Sequence, residues 1–280
     1  MIKLFAFDID GTLLDNTSKV TDESKKALAK LDDAGIKVVL ASGRVFPSIK
    51  YNQKLLEISG PIVATNGSLI SLDGREVYKS YYIEERLLKK LYEFCLDYKM
   101  DFHFYDEENY YTNRLNLDRI KHLKIDNDFG MNYQVDLIIK NDPVSYLINQ
   151  GKKAIKFQIS GIDEKDMAKE KIIDLLEKEF GEDLYITASG DSLLEIGNKN
   201  ATKWTSIEEI CDKLGIYTSE VAAIGDAYND IPMVKGAGLG FAMGNAKDKL
   251  KEVADVIVAY NESGGALEAV NYVLEANKNV

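Results

Sequence analysis

The sequence has few of the residues that mark several classes of protein. Its 280 residues include 2 cysteines, 4 prolines and 2 histidines. Cys95 and Cys211 stand too far apart to form a metal-binding pair, and we expect both to be buried thiols in a reducing cytoplasm. No apolar run approaches the roughly 20 residues that cross a bilayer, and the N-terminal run is too short for a signal peptide. We therefore expect a cytoplasmic protein with no membrane partner.

Positive charge is also scarce. Lysine and arginine number 35 against 46 aspartate and glutamate residues, which gives a net charge of −11. This deficit argues against a nucleic-acid partner, because such proteins bind by neutralising phosphates with cations. It does not exclude a small phosphate ligand, since local cations or a metal ion can offset the acidity. The composition, 45% hydrophobic and 29% charged, is typical of a soluble globular chain with one large domain or two modest ones.

Apolar runs alternate with amphipathic segments at both ends of the chain. The runs predict strands at 4–7, 36–40, 61–64 and 221–224, and the spacing of apolar residues predicts a helix over Lys203–Leu214. This alternation is typical of parallel βαβ units and therefore of an α/β fold. Polar loops follow the strands. Because ligands bind beyond the carboxyl ends of parallel strands, we expect the functional site there.

The pattern changes in the middle of the chain. From Ile83 a helical stripe, tyrosine-rich segments, several strands and a second helix at about 163–180 follow one another. We interpret this block as an inserted α/β domain. The predicted division is a core over 1–82 and 198–280, with the second domain over 83–197.

Two carboxylates stand at the end of the first predicted strand, Asp8 and Asp10. The turn at Gly11 can bring both to one site, where one attacks as a nucleophile and the other moves protons. A calcium loop does not fit, because the sixth and twelfth places counted from Asp8 hold Leu13 and Lys19 rather than glycine and glutamate. An acidic structural turn remains the alternative at this point.

A second acidic pair, Asp226 and Asp230, follows the strand at 221–224. Two carboxylates four residues apart suit a hard divalent cation, although a tight turn into a helix N-terminus also favours aspartate. If these residues and Asp8 and Asp10 cluster, their like charges raise the pKa of each carboxyl and cost stability. A magnesium ion would resolve this conflict.

The order of these segments resembles the four motifs of the haloacid dehalogenase-like (HAD) phosphohydrolases. The motifs are Asp8-Ile9-Asp10-Gly11-Thr12, Ser42, Lys203 and Gly225-Asp226 through Asp230, with further similarity to the Cof-type branch (subfamily IIB) at 64–67, 240–246 and 261–265. The resemblance implies a Rossmann-like parallel-sheet HAD core with an inserted α/β cap of the C2B type. One departure is Trp204, which stands where glycine usually follows the motif lysine. Lys199 is therefore a second candidate for that lysine.

The resemblance also implies roles for particular residues. Asp8 would be the nucleophile, and Asp10 the general acid and base. Mg²⁺ would be held by Asp8, by the backbone carbonyl of Asp10 and by Asp226, with Asp230 supporting the metal or the lysine. The predicted phosphate or substrate contacts are Ser42, Lys203, Asn229, Arg44 and Asn66. Residues of the cap that could touch substrate, with ordinary packing as the alternative, are His103, Tyr105, Tyr110, Tyr111 and His122.

The resulting hypothesis is a Mg²⁺-dependent phosphomonoester hydrolase that acts on small phosphorylated metabolites through an aspartyl-phosphate. Sugar phosphates, pyridoxal phosphate and flavin mononucleotide are all compatible with the resemblance. Two alternatives remain, a phosphosugar mutase of the same fold and a non-catalytic module that binds phosphate or Mg²⁺. The expected partner is a small phosphate ester, and the expected state is a monomer or weak homo-oligomer.

Overall fold

A computed structural model describes residues 1–116, 120, 123–127, 130–133, 135–160, 169–188 and 193–279. The chain divides into two compact units. The first combines Met1–Lys79 with Thr202–Val280, and the second is the intervening segment Ser80–Ala201. The second unit is therefore an insertion into the first. Within the described residues, no helix is both long enough and apolar enough to cross a bilayer.

Helices and strands alternate along most of the first unit, on both sides of the insertion. Before the insertion they are β1 (Leu4–Phe7), α1 (Asp22–Asp33), β2 (Lys37–Ala41), α2 (Phe46–Leu56), β3 (Ile62–Ala64), β4 (Leu69–Ser71) and β5 (Lys79–Ser80). The second unit contains α3 (Glu85–Asp97), β6 (Asp101–Tyr105), β7 (Asn109–Thr112), β8 (Lys124–Asn127), β9 (Gly130–Tyr133), β10 (Asp136–Ile139), α4 (Pro143–Asn149), β11 (Lys156–Ser160), α5 (Lys169–Phe180), β12 (Leu184–Ala188) and β13 (Leu193–Asn198). After it come α6 (Lys203–Leu214), β14 (Val221–Gly225), α7 (Ile231–Gly236), β15 (Leu239–Ala242), α8 (Asp248–Lys251), β16 (Val256–Ile257) and α9 (Gly265–Lys278).

The sheet of the first unit has the strand order β16-β15-β14-β1-β2-β3-β4-β5. Strands β16 to β3 in that order are parallel, and β4 pairs antiparallel to β3. The order reverses between β1 and β14, because the chain leaves β1 towards β2 and leaves β14 towards β15. In a doubly wound sheet such a reversal opens a crevice at the carboxyl ends of the strands. The loops after β1 and β14 therefore start at the place where ligands bind in this architecture.

Capping residues fix the start of two helices of this unit. The Thr21 hydroxyl accepts a hydrogen bond from the Ser24 backbone N–H, which starts α1. Helix α6 covers Lys203–Leu214 as predicted. Thr202 and Thr205 form its capping box, and Gly215 ends it in the left-handed conformation. The start of α6 matters for the site because Lys203 is its first residue.

The second unit is a six-stranded sheet with helices on one face. The strand order is β10-β7-β6-β11-β13-β12, and a separate hairpin pairs β8 with β9. Apolar residues of α3, α4 and α5 pack against Phe104, Phe157 and Ile196. The opposite face carries His103, Gln158 and other polar residues, because side chains alternate along a strand.

The predicted helices of the middle block need one correction. Two were expected, but α4 is a third among the described residues. It begins with Asp142, which accepts a hydrogen bond from the Ser145 N–H, and with Pro143 at its first position. The helix was missed because its 7 residues are too few to show a clear helical period. Of the helix predicted at about 163–180, α5 covers Lys169–Phe180, and residues 161–168 lie outside the described residues.

Candidate active site

The loops after β1 and β14 meet at the carboxyl edge of the sheet. A Cβ atom on Gly11 would lie 2.4 Å from Asp226 Oδ2, so a larger residue here would displace the Asp226 carboxylate. Gly11 also has φ of +74°, a conformation in which glycine is strongly favoured. The Asp8, Asp226 and Asp230 carboxylates each place an oxygen within 4.8 Å of the others. The structure therefore brings together three of the four predicted acidic residues.

Lys203 lies between two of these carboxylates. Its side chain is completely buried, and Nζ donates to Asp8 Oδ1 at 2.6 Å and to Asp230 Oδ1. Burial by itself lowers the pKa of Lys203, but the charges of Asp230 and Asp8 raise it above its usual range. The alternative motif lysine, Lys199, donates instead to the Gly181 carbonyl of the second unit. Lys203 is therefore the lysine beside Asp8 in this structure.

Asp230 holds the turn that follows β14. Its Oδ2 accepts hydrogen bonds from the backbone N–H groups of Asp226 at 3.0 Å and Ala227 at 2.9 Å. A Cβ atom on Gly225 would lie 2.6 Å from the same oxygen, so glycine is required before Asp226. Both carboxylate oxygens of Asp230 thus accept from the chain itself, one from the turn and the other from Lys203. Asp230 orients Asp226 and Lys203.

Burial and mutual repulsion raise the pKa values of two carboxyls in this cluster. For Asp8, desolvation is the largest cause, followed by the charge of Asp230, and the resulting pKa lies well above its usual range. For Asp226 the same two causes raise the pKa from 3.8 to about 7. Lys203 opposes both shifts without cancelling them. The cluster thus carries more negative charge than its own cations offset, and its oxygen-only donors are those that a hard divalent cation prefers. These residues fit such an ion.

Asp10 is held differently from the other carboxylates. Its side chain is 51% exposed. The Arg44 guanidinium donates two hydrogen bonds to it, from Nε to Oδ2 at 2.7 Å and from Nη2 to Oδ1. Burial by itself lowers the pKa of Arg44, and the hydrogen bond and charge of Asp10 raise it above its usual value. Arg44 was predicted to contact phosphate. In this structure it positions Asp10, and the phosphate contact stays a prediction.

The remaining predicted residues lie around the ends of β2, β3 and β14. Ser42 is buried, and its hydroxyl accepts from the Arg44 N–H at 3.2 Å. Its carbonyl accepts from the Asn66 N–H at 3.1 Å. Asn229 lies in the turn Tyr228–Asp230, and its Nδ2 donates to Asn66 Oδ1 at 3.0 Å. The structure thus joins Ser42, Asn66 and Asn229 in one hydrogen-bonded chain beside the acidic cluster.

Two asparagines that support the first loop were not singled out from the sequence. Asn245 Nδ2 donates to the Gly11 carbonyl at 2.8 Å, and Asn261 Nδ2 donates to the Leu14 carbonyl at 2.9 Å. The Asn261 N–H also donates to Asn245 Oδ1, which links the two supports. Both residues lie in segments that carry the family resemblance. Their position in polar loops that follow β15 and β16 was the available signal.

The candidate residues of the second unit separate onto two faces of its sheet. His103 and Tyr110 stack with ring centroids 4.8 Å apart, and Tyr105 contacts both edge to face. Tyr111 belongs to the apolar core on the other face, and its hydroxyl donates to Asp106. Packing therefore accounts for Tyr111. His122 lies outside the described residues.

Known proteins resemble this chain along nearly its whole length. The family model of haloacid dehalogenase-like hydrolases matches residues 5–270. A Bacillus subtilis protein named 5-amino-6-(5-phospho-D-ribitylamino)uracil phosphatase is 29% identical over 97% of this chain and 95% of its own length. A B. subtilis structure described as a haloacid dehalogenase-like hydrolase has a TM-score of 0.83 at 22% identity, covering 96% of this chain and 99% of that one. A structure described as a HAD subclass IIB sugar phosphatase has a TM-score of 0.79 at 24% identity, covering 97% and 98%.

The chain belongs to the haloacid dehalogenase-like hydrolase family. The family resemblance and the α/β fold class are confirmed. The predicted enzyme class, a phosphatase, is confirmed as well.

Proposed function

We propose that this protein is a Mg²⁺-dependent phosphomonoester hydrolase that works through a phosphorylated Asp8. The observation that carries the proposal is the position of Asp8, buried at the carboxyl end of β1 between Lys203 and the Asp226 carboxylate. A carboxylate held by a fixed cation in a water-poor crevice is oriented for attack on an electrophile. A phosphate-binding module needs no such buried carboxylate, since a carboxylate repels the anion it would bind.

In the first step an Asp8 carboxylate oxygen attacks phosphorus. A bond forms between that oxygen and phosphorus, the ester P–O bond breaks, and its electron pair leaves with the alcohol oxygen. Asp10, two residues along the same loop, gives a proton to that oxygen. Lys203 and Ser42 hold phosphate oxygens during the transfer, because an ammonium and a hydroxyl donate hydrogen bonds to an anion.

In the second step water hydrolyses the aspartyl-phosphate. Asp10 now accepts a proton from the attacking water, the bond between Asp8 and phosphorus breaks, and inorganic phosphate forms. Arg44 keeps the Asp10 carboxylate in one orientation through its two-pronged contact. The same group thus acts as acid in one step and base in the next, as microscopic reversibility requires.

The carboxylates of Asp8 and Asp226 and the backbone carbonyl of Asp10 would hold Mg²⁺. When bound, the ion supplies positive charge that offsets the repulsion between the carboxylate and the phosphate. Asp230 contributes by fixing the backbone of Asp226 and the ammonium of Lys203. In this proposal Asp226 is a metal ligand, and Asp230 positions it.

We propose small phosphorylated metabolites as substrates, with sugar and polyol phosphates first. The support is the activity for which the B. subtilis relative is named, since its substrate joins a phosphoribityl chain to a pyrimidine. The second unit, which we propose acts as the cap, carries both aromatic rings and polar groups on the sheet face opposite its helices, where His103, Tyr110 and Gln158 are buried. Rings of this kind stack on planar groups or on sugar faces.

The test is the Asp8→Asn variant, assayed with MgCl₂ against a panel of phosphorylated metabolites. Asn has the same shape as Asp but cannot form the phosphorylated intermediate, so we expect phosphate release to fall by about 10³-fold or more. The control is Asp33→Asn, an exposed site at the end of α1, where we expect the wild-type rate.

Three outcomes distinguish the hypotheses. Retention of substantial turnover by Asp8→Asn would remove Asp8 from the role of nucleophile. Conversion of one phosphosugar into an isomer without free phosphate would establish the mutase alternative instead. A wild-type protein that binds phosphate esters and hydrolyses none would establish the binding module.

A further inference from the structure

A short turn after β3 has an unusual backbone. Thr65, Asn66 and Gly67 have φ of 50°, 58° and 107°, so three consecutive residues lie in the left-handed region. Asparagine and glycine tolerate this region, but a β-branched residue such as threonine rarely adopts it. Strain of this kind persists only where surrounding contacts impose it, and it concentrates at functional sites. The turn therefore merits a functional explanation.

The turn is bonded to two other parts of the site. The Thr65 N–H donates to the Arg44 carbonyl at 2.9 Å, and the Asn66 N–H donates to the Ser42 carbonyl. On its other side, the Ser206 hydroxyl of α6 donates to the Gly67 carbonyl at 2.8 Å. These bonds connect the loop after β2 with the helix that begins at Lys203.

Gly67 also packs directly against the start of α6. A Cβ atom at this position would lie 2.2 Å from the Thr202 carbonyl oxygen, so no other residue fits without moving the helix. Thr202 is the N-cap residue of α6 and immediately precedes Lys203. The backbone of the turn is thus fixed against the elements that carry Ser42 and Lys203.

The Asn66 side chain connects the turn to the loop after β14. Asn66 Oδ1 accepts from Asn229 Nδ2 at 3.0 Å, and both residues are only 5% exposed. Because Nδ2 is held in this way, the orientation of the Asn229 amide is fixed and its oxygen occupies one defined place. That oxygen, Asn229 Oδ1, is buried and has no hydrogen-bond partner among the described residues. A buried acceptor without a partner costs free energy unless a ligand supplies a donor.

We propose that Asn66 is a positioning residue, which holds the Asn229 amide so that Asn229 Oδ1 accepts a hydrogen bond from a donor of the reacting system. The donor is a hydroxyl, either of the substrate alcohol or of the attacking water. The inference rests on the proposed phosphatase function and changes the predicted role of Asn66. Asn66 Oδ1 is a hydrogen-bond acceptor, and the phosphate oxygens are acceptors as well. Asn66 Oδ1 therefore does not bind them directly.

The experiment is a double-mutant cycle with Asn66→Gly and Asn229→Ala. Glycine keeps the left-handed backbone at position 66 while removing the side-chain oxygen. The control is Glu57→Gly. Glu57 is an exposed residue at the end of α2, remote from the acidic cluster, and its φ is also positive, at 60°. The substitution therefore makes the same change of backbone freedom there. Kinetics are measured with MgCl₂ on the best substrate of the metabolite panel.

We expect Asn66→Gly to lower kcat about ten-fold, equivalent to roughly 1.4 kcal/mol, with KM changed less than about two-fold. In the Asn229→Ala background, Asn66→Gly should cause no further loss, because the group it positions is already absent. Glu57→Gly should retain the wild-type kcat. Binding of inorganic phosphate, followed by the fluorescence of Trp204 beside Lys203, should be unchanged in Asn66→Gly. Trp204 is the single tryptophan of the chain.

Several results would overturn the inference. A ten-fold loss in the Asn229→Ala background as well would show that Asn66 acts independently of Asn229. Weakened phosphate binding by Asn66→Gly would assign it a direct phosphate contact, and a wild-type kcat would leave it without a role. If Asn66→Gly unfolds at a markedly lower temperature, Asn66→Ser takes its place in the same cycle with the same expectations. A wild-type protein without phosphatase activity, established before the cycle, would instead refute the proposed function itself.

Discussion

Replacing Lys203 by methionine tests how the acidic cluster is stabilised. Lys203 is completely buried at the first position of α6, where the helix dipole disfavours a cation. Its ammonium is held there by the carboxylates of Asp8 and Asp230. Methionine has a similar length and fills the same space without a charge. Lys203→Met therefore leaves two buried carboxylates without their shared cation.

The size of the effect follows from this burial. Removing one partner of a buried ion pair costs about 3–5 kcal/mol, because the remaining charge stays in a poorly solvated place. For chains of this size, 1 kcal/mol corresponds to a shift of roughly 2–4 °C in Tm. We therefore expect the metal-free Lys203→Met protein to unfold roughly 10 °C below the wild type at pH 8. The difference should shrink at pH 5, because protonation of the carboxyls removes the unpaired charge.

The assay is thermal unfolding followed by circular dichroism, with phosphate release measured on the same samples. Lys199→Met is the matched control, since Lys199 is exposed, and we expect its Tm to stay within about 2 °C of the wild type. Activity should fall by about 10²-fold or more in Lys203→Met and remain in Lys199→Met. If both variants unfold at the same temperature, the buried pairing of Lys203 with its two carboxylates does not stabilise the protein and the reasoning is refuted.

Two further predictions concern the acidic cluster. Burial raises the pKa of Asp226 from 3.8 to about 7, so its contribution to stability is complete below pH 4 and is lost as the pH rises to 7. The Tm of the metal-free protein should therefore fall between pH 5 and pH 8, and MgCl₂ should raise the Tm more at pH 8 than at pH 5. Equal effects of MgCl₂ at pH 5 and pH 8 would contradict this account. Gly11→Ala should lower kcat and Mg²⁺ affinity at least ten-fold, because its Cβ atom clashes with Asp226. The control is Gly35→Ala, where φ is +68° and the space around the residue is open, and we expect this change to lower the Tm alone. Similar activity in both glycine variants would refute the clash.

Much of the first unit could be predicted from the sequence because its strands are buried on both faces. Continuous apolar runs such as Leu4–Phe7 stand out against the polar loops that follow them. Helix α6 was predicted to the residue from the spacing of its apolar residues, and in the structure Thr202 and Gly215 cap its two ends. In contrast, α4 has only 7 residues, so its apolar spacing is too short to recognise as a helical period.

Contacts within the candidate site were harder to predict than its residues. Nothing in the sequence indicates that Arg44 pairs with Asp10, since the pairing depends on how two loops from different strands approach each other. The link between Asn66 and Asn229 joins residues 163 positions apart, and the left-handed turn that makes it possible includes a threonine that disfavours that conformation. The conformational preference of a residue is a poor guide at such a position, because tertiary contacts impose the backbone conformation.

The placement of β1 between β2 and β14 has a consequence for how the protein matures on the ribosome. Asp8 and Ser42 are synthesised early, but Lys203 and Asp226 are added only after the whole inserted unit has been made. Until β14 pairs with β1, the nascent chain exposes one edge of its central strand, and until Lys203 is made no ammonium of α6 lies beside Asp8. The proposed activity therefore arises late in translation, and a chain released before residue 203 contains Asp8, the proposed nucleophile, without Lys203 and Asp226.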